Sequence, residues 1–201
     1  SMPTRILPAA LAAIALFQSA STAIQASPAK EPVEDLGVQR ARICLNGVWK
    51  FQPATGAAAK NPESDSWGTI YVPGSWVPLA KNNFPTLEKK GTGPAWAKWD
   101  GAAVDRAWYE RAIEVPQEWA GRAVLLDLRR VSTDATVFLD DKMVGEVYWP
   151  SGVVDLTAFV QPGRTYTLKV LVSATLTRKK TLNAMGVGQN TMVDARLLTR
   201  G

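Results

Sequence analysis

The chain of 201 residues carries 23 lysines and arginines against 18 acids, a formal charge of +5, with no histidine and a single cysteine, Cys44. Those absences exclude a Ser/His/Asp triad, a Cys/His pair, His-ligated zinc and a CxxC site, leaving carboxylates, Lys, Tyr, Ser and Thr for proton work. One thiol closes no internal disulfide, so stability has to come from a packed core.

Near the amino terminus, Arg5 precedes an apolar run from Ile6 to Phe17, and mostly small residues follow from Ser19 to Ala26. The run is shorter than the roughly 20 residues of a membrane-spanning helix. It reads as a secretory signal peptide over residues 1–26, cleaved near Ala23 or Ala26, with a retained hydrophobic anchor as the alternative. An exported protein, periplasmic or extracellular and free of the membrane after cleavage, is expected. Residues 27–35 are polar and aperiodic and read as a linker. A single domain is expected over residues 36–201, a length within the usual range for one core.

From "ARICLNGVWKF" onward, short β-branched or aromatic runs of alternating polarity are punctuated by Pro, Gly and Asp, the signature of all-β architecture. Strands are expected near residues 43–51, 69–72, 107–115, 151–156 and 191–198. "RAVLLDLRR" sends Val124, Leu126 and Leu128 to one face and Asp127 and Arg129 to the other. In "TYTLKVLVSA", Tyr166, Leu168, Val170 and Val172 share a face opposite Thr167 and Lys169. "DATVFLDDKMVGEVY" reads as a hairpin turning at Asp140-Asp141. About nine strands of this kind suit two packed sheets, a β-sandwich. Residues 52–66 and 77–105 carry no alternation and read as long loops, the second holding two tryptophans. The basic residues are scattered apart from Arg129-Arg130 and Arg178-Lys179-Lys180. Nucleic acid is therefore not expected as a partner, and the Arg178–Lys180 run reads as a solvated loop.

"LNGVWKFQP", "WGTIYVPGSW" and "AWYERAIEVPQEWAGRAVLLDLRRVSTDATVFLDDKMVGEVYWPSGVVDLTAFVQPG" together resemble the amino-terminal sugar-binding domain of glycoside hydrolase family 2, which includes β-galactosidases, β-glucuronidases and β-mannosidases. The resemblance covers roughly residues 43–172 in order. It is carried by Val115, Pro116 and Trp119, then Val144 and Gly145, then Asp155, Leu156 and Thr157. It implies a galactose-binding-like jelly-roll sandwich that packs on a catalytic (β/α)₈ barrel and lends loops to its pocket. In the family, hydrolysis of terminal β-glycosides with retention is the work of two glutamates on that barrel, which follows an immunoglobulin-like domain. A barrel needs about 250 residues and has no room here.

Catalysis by the sandwich itself is not expected. Retaining glycosidases hold two carboxyl groups about 5–5.5 Å apart, whereas Glu110 and Glu114, four residues apart on one strand face, are separated by roughly 13 Å. Recognition of sugar is the chemistry to weigh, because a tryptophan ring covers the apolar face of a pyranose while polar side chains hold its hydroxyls. Of the eight tryptophans, Trp49, Trp67, Trp108 and Trp119 read as packing residues. Trp76, Trp96 and Trp99, in or beside the long loop with Asn82 and Asn83, and Trp149 after the hairpin are the candidates for contact with carbohydrate or a neighbouring domain. Arg111 shares a face with Tyr109 and Ile113 and is expected to satisfy a carboxylate at the core's rim. The acidic residue that family members place before the final strand is missing from "RKKTLNAMGVGQN", where Asn183 is the nearest polar candidate. No metal-ligand run and no cofactor motif is read. Three roles stay open: leading domain of an exported family 2 exo-glycosidase, free-standing carbohydrate-binding module, or purely structural sandwich.

Overall fold

The computed structural model describes residues 33–35, 40–54, 62, 66–76, 87–97, 99–101, 104–174, 191–192 and 194–200. The expected signal segment, Asn82 and Asn83, the Arg178–Lys180 run and Asn183 lie outside the described residues. In chain order the strands are β1 (Val33–Asp35), β2 (Arg40–Cys44), β3 (Gly47–Pro53), β4 (Gly68–Val72), β5 (Gly74–Ser75), β6 (Leu87–Lys89) and β7 (Arg106–Glu114). They continue as β8 (Ala123–Arg129), β9 (Asp134–Leu139), β10 (Lys142–Tyr148), β11 (Ser151–Asp155), β12 (Thr165–Ser173), β13 (Thr191–Met192) and β14 (Asp194–Arg200).

One sheet has the order β1-β2-β14-β8-β11 and the other β10-β9-β12-β7-β3-β4-β6, with β13 and β5 forming a separate pair. All the pairings are antiparallel. Ile43, Leu126, Leu128, Val154 and Leu197 of the first sheet share one core with Phe51, Tyr109, Ile113, Val137 and Val170 of the second. The protein is therefore a β-sandwich, as alternation predicts. The strands outnumber the expected nine because β1, β5, β6 and β13 are two or three residues long, too short to display a period. β1 also falls inside the stretch expected to be linker.

The expected strand near 43–51 is two strands in different sheets. Leu45 and Asn46 carry the chain across, and Gly47 follows with φ of 123°, a conformation open to glycine. The crossing is bonded from three sides. Trp49 Nε1 donates to the Leu45 carbonyl at 2.7 Å, Arg111 Nη1 to the Leu45 and Asn46 carbonyls at 2.7 and 3.1 Å, and Ala195 N to Asn46 Oδ1 at 3.1 Å. Nη1 of Arg111 thus holds two main-chain oxygens, and the guanidinium lies 6.0 Å from the Trp49 ring.

At the side where β10 and β11 face each other, the sheets interlock. A Cβ on Gly145 would stand 2.6 Å from Val154 Cγ1, and one on Gly152 would stand 3.0 Å from Val147 Cγ1. The β9–β10 turn has Asp140 and Asp141 at φ 45° and 68°, the geometry of a tight hairpin. Their carboxylates accept from Thr167 N and Lys169 Nζ at 2.8 and 2.6 Å, so these acids serve the turn.

Candidate functional site

The tryptophans of the long loop face inward. Phe51, fully buried, is met by Trp76, Trp96, Trp99 and Tyr109 at centroid distances of 5.9, 6.0, 5.8 and 5.2 Å. Trp76 and Trp96, expected to contact carbohydrate or a neighbouring domain, are 1% and 7% exposed, and their faces are taken by Phe51, Tyr109 and Trp99. Their indole N–H groups are satisfied by main-chain carbonyls, Trp96 to Ser66 at 2.6 Å and Trp76 to Val104 at 3.4 Å. Trp99 is partly buried against the same core. Alternation places side chains only within strands, and this stretch offers none, so the inward turn of these rings was not legible.

Within that cluster the Tyr109 hydroxyl has no hydrogen-bond partner among the described residues, and burial pushes the phenol's pKa far above its usual range. An unpaired buried hydroxyl costs free energy. Tyr109→Phe is therefore expected to raise stability by up to about 1 kcal/mol at pH 7. The sign of the pH effect follows from the raised pKa. The folded chain keeps the proton that the unfolded chain loses above about pH 10, so this stability is present below pH 10 and lost as pH rises. Urea unfolding at pH 7 and near pH 10.5 should show a shallower alkaline loss in the variant.

Trp149 is the expected site residue placed at an accessible rim. A chain of loop bonds builds that end of the sandwich. Ala174 N donates to Asp105 O at 2.6 Å, Thr133 N to Ser173 O at 2.9 Å, Trp149 N to Thr133 O at 2.7 Å and Val131 N to Pro150 O at 3.0 Å. Val131, Ser132 and Thr133 are buried beneath it, while Trp149 is half-buried and Arg130, Pro150 and Ser151 are exposed. Arg130 has φ of 51°, and its N–H donates to Ser151 Oγ at 3.1 Å. Tyr148, 56% exposed, donates its hydroxyl to Glu146 Oε2 at 2.6 Å.

The end of β10 and the turn after it thus carry Glu146, Tyr148 and Trp149, and Arg130 joins them through its main-chain bond to Ser151. Rings of this kind can lie on a sugar's apolar face, and the charged groups can bind hydroxyls. Arg130 and Glu146 were not singled out from sequence. The signal available for Arg130 was the basic pair at the end of "LLDLRR", but its place beside Ser151 follows from the β8–β11 register, which sets the preceding Arg129 across from Ser151.

Of the two carboxylates first considered for catalysis, Glu110 is engaged in ion pairs. Glu110 binds Lys50 at 2.7 Å and approaches Lys169 at 3.8 Å. The residues of the resembling motif hold joints of the fold. Val115 accepts from Gly163 N at 2.7 Å, Trp119 is buried, and Asp155 Oδ1 accepts from Thr157 N at 2.9 Å. Thr157 Oγ1 in turn accepts from Val124 N at 3.0 Å.

No family model matches the chain, and no curated protein sequence matches it. Solved structures do. The β-glucuronidase of Dictyoglomus thermophilum superposes with a TM-score of 0.58 at 15% identity, over 83% of this chain and 29% of that one. For the Faecalibacterium prausnitzii β-glucuronidase the values are 0.56 and 20%, over 83% and 32%. The Bifidobacterium dentium enzyme complexed with coumarin-3-O-glucuronide gives 0.55 and 18%, over 83% and 31%. The chain spans under a third of these enzymes' length, and at such identities the likeness is one of fold. Its sandwich has the fold of one part of larger β-glucuronidases.

Proposed function

We propose that this chain is the leading, non-catalytic sugar-binding domain of an exported family 2 exo-glycosidase, a jelly-roll module that packs on a catalytic barrel and helps shape its pocket. The observation carrying this reading is the superposition of 83% of the chain on 29% to 32% of β-glucuronidases. The placement of Val115, Trp119, Gly145 and Asp155–Thr157 at load points of the sandwich supports it, since those residues carry the family resemblance. The parent protein hydrolyses terminal β-glycosides through groups on other domains. The test compares the 201-residue chain with the product of the complete open reading frame that contains it, on p-nitrophenyl β-glucuronide, β-galactoside and β-mannoside. Release of nitrophenol by the longer product and none by the chain is expected. Release by the chain alone overturns the proposal.

The exposed rim at Tyr148, Trp149 and Arg130 favours a second reading, a module that binds free saccharide. In that case glucuronate, galactose or mannose changes the tryptophan emission of the chain, and Trp149→Ala weakens that binding about tenfold, the equivalent of about 1.4 kcal/mol. Unchanged emission and heat across all three sugars removes this second reading and leaves the first.

A further inference from the structure

Asn46-Gly47, at the crossing from β2 to β3, is the one asparagine–glycine step in the sequence. At such a step the main-chain nitrogen of the glycine can attack the carboxamide carbon of the asparagine. A new C–N bond closes a cyclic imide, ammonia leaves with the amide proton, and water then opens the ring at either carbonyl. The products are aspartate, or isoaspartate with the main chain routed through the former side chain. Glycine favours the attack because it has no Cβ to hinder approach and the least restricted backbone.

The fold holds both reactants. Ala195 N donates to Asn46 Oδ1 at 3.1 Å, and Leu45 N donates to Ala195 O at 2.8 Å. One residue of β14 thus anchors the crossing through the main chain of Leu45 and the side chain of Asn46. Ala195 is fully buried and stands across from Leu128 of β8. From the other side Arg111 Nη1 holds the Asn46 carbonyl at 3.1 Å, and Gly47 is set in β3 across from Val72. Asn46 is only half-buried, so its protection rests on these bonds more than on exclusion of water. Attack requires the carboxamide to swing free and close on Gly47 N, whereas its oxygen is anchored on a neighbouring strand.

We propose that Asn46 is a deamidation site gated by the seating of β14: the amide survives while Ala195 is docked and is lost from locally opened states in which the start of β14 has lifted from β2. Isoaspartate then resists reseating, because it adds a carbon to the main chain between the Leu45 and Asn46 carbonyls, which Arg111 holds at 2.7 and 3.1 Å. The test follows residue 46 in the whole chain by peptide mass spectrometry and isoaspartate assay during incubation at mildly alkaline pH. The folded chain is expected to lose the amide at least about tenfold more slowly than the chain unfolded in urea. Leu197→Ala removes a buried β14 side chain that stands across from Ile43 and Leu126. It should accelerate the loss at least about tenfold, and the milder Leu197→Val about threefold, which serves if the alanine variant does not fold. Leu139→Ala removes a buried leucine of β9 in the other sheet and should change the rate less than about twofold. The variants are compared where far-ultraviolet dichroism shows them folded. Equal rates in the folded and unfolded chains, equal acceleration by the β14 and β9 variants, or no acceleration by either Leu197 variant overturns the proposal.

Discussion

Phe51→Ala is expected to cost about 3–5 kcal/mol of unfolding free energy and to lower the thermal midpoint by roughly 10 °C. Phe51 stands on β3 in the middle of the seven-stranded sheet and is fully buried. Removing its ring leaves a void that Trp76, Trp96, Trp99 and Tyr109 all border. Two of these rings belong to the segment following β6 and have no strand to hold them. Their faces are edge-on to Phe51, at interplanar angles of 65° and 88°, so the loss includes specific ring contacts as well as buried area. The near-ultraviolet dichroism of the folded variant should therefore fall more than its far-ultraviolet signal. Differential scanning calorimetry gives the midpoint, and a shift below 3 °C would count against this account of the cluster.

Gly91→Ala should be nearly as damaging, at about 3 kcal/mol. A Cβ at this position would stand 2.2 Å from the Ser66 carbonyl oxygen and 2.5 Å from Trp96 Nε1, the two ends of the hydrogen bond that seats Trp96. The clash is with backbone and with a ring already packed in the core, so no flexible side chain can move aside. Either Trp96 leaves its carbonyl, or the start of β4 shifts. Urea unfolding of the variant should show a lower midpoint with an unchanged m-value if the fold is retained. Alanine at Gly121, where no atom lies within 4 Å of the added carbon but φ is 76°, isolates the cost of backbone strain for comparison.

How much of this was legible in the sequence depended on the local period. Val124, Leu126 and Leu128, and Leu168, Val170 and Val172, lie inward as their alternation demands. The Asp140-Asp141 turn is where two alternating runs meet. The break between β2 and β3 was hidden because the apolar alternation of "ARICLNGVWKF" runs on through Leu45, and the change of sheet is held by Arg111 and Ala195 from distant parts of the chain. β8 also departs from strict alternation: Leu125 and Asp127 are buried along with the inward residues, and Arg129 pairs with the acid at 2.9 Å. Of the candidate site, Trp149 could be placed from its position after a hairpin. Trp76 and Trp96 could not, because an aperiodic segment carries no information about which way a ring turns.

The position of β14 between β2 and β8 has a consequence for biosynthesis. β14 follows the other four strands of its sheet in sequence yet lies inside that sheet, and its Ala195 reaches back to Asn46 across 149 positions. Until it is made, β2 and β8 each expose a full row of unpaired amides and carbonyls, open to mispairing between nascent chains. Closure of this sheet thus waits for the last of its five strands, and until then these two edges are the ones most open to mispairing.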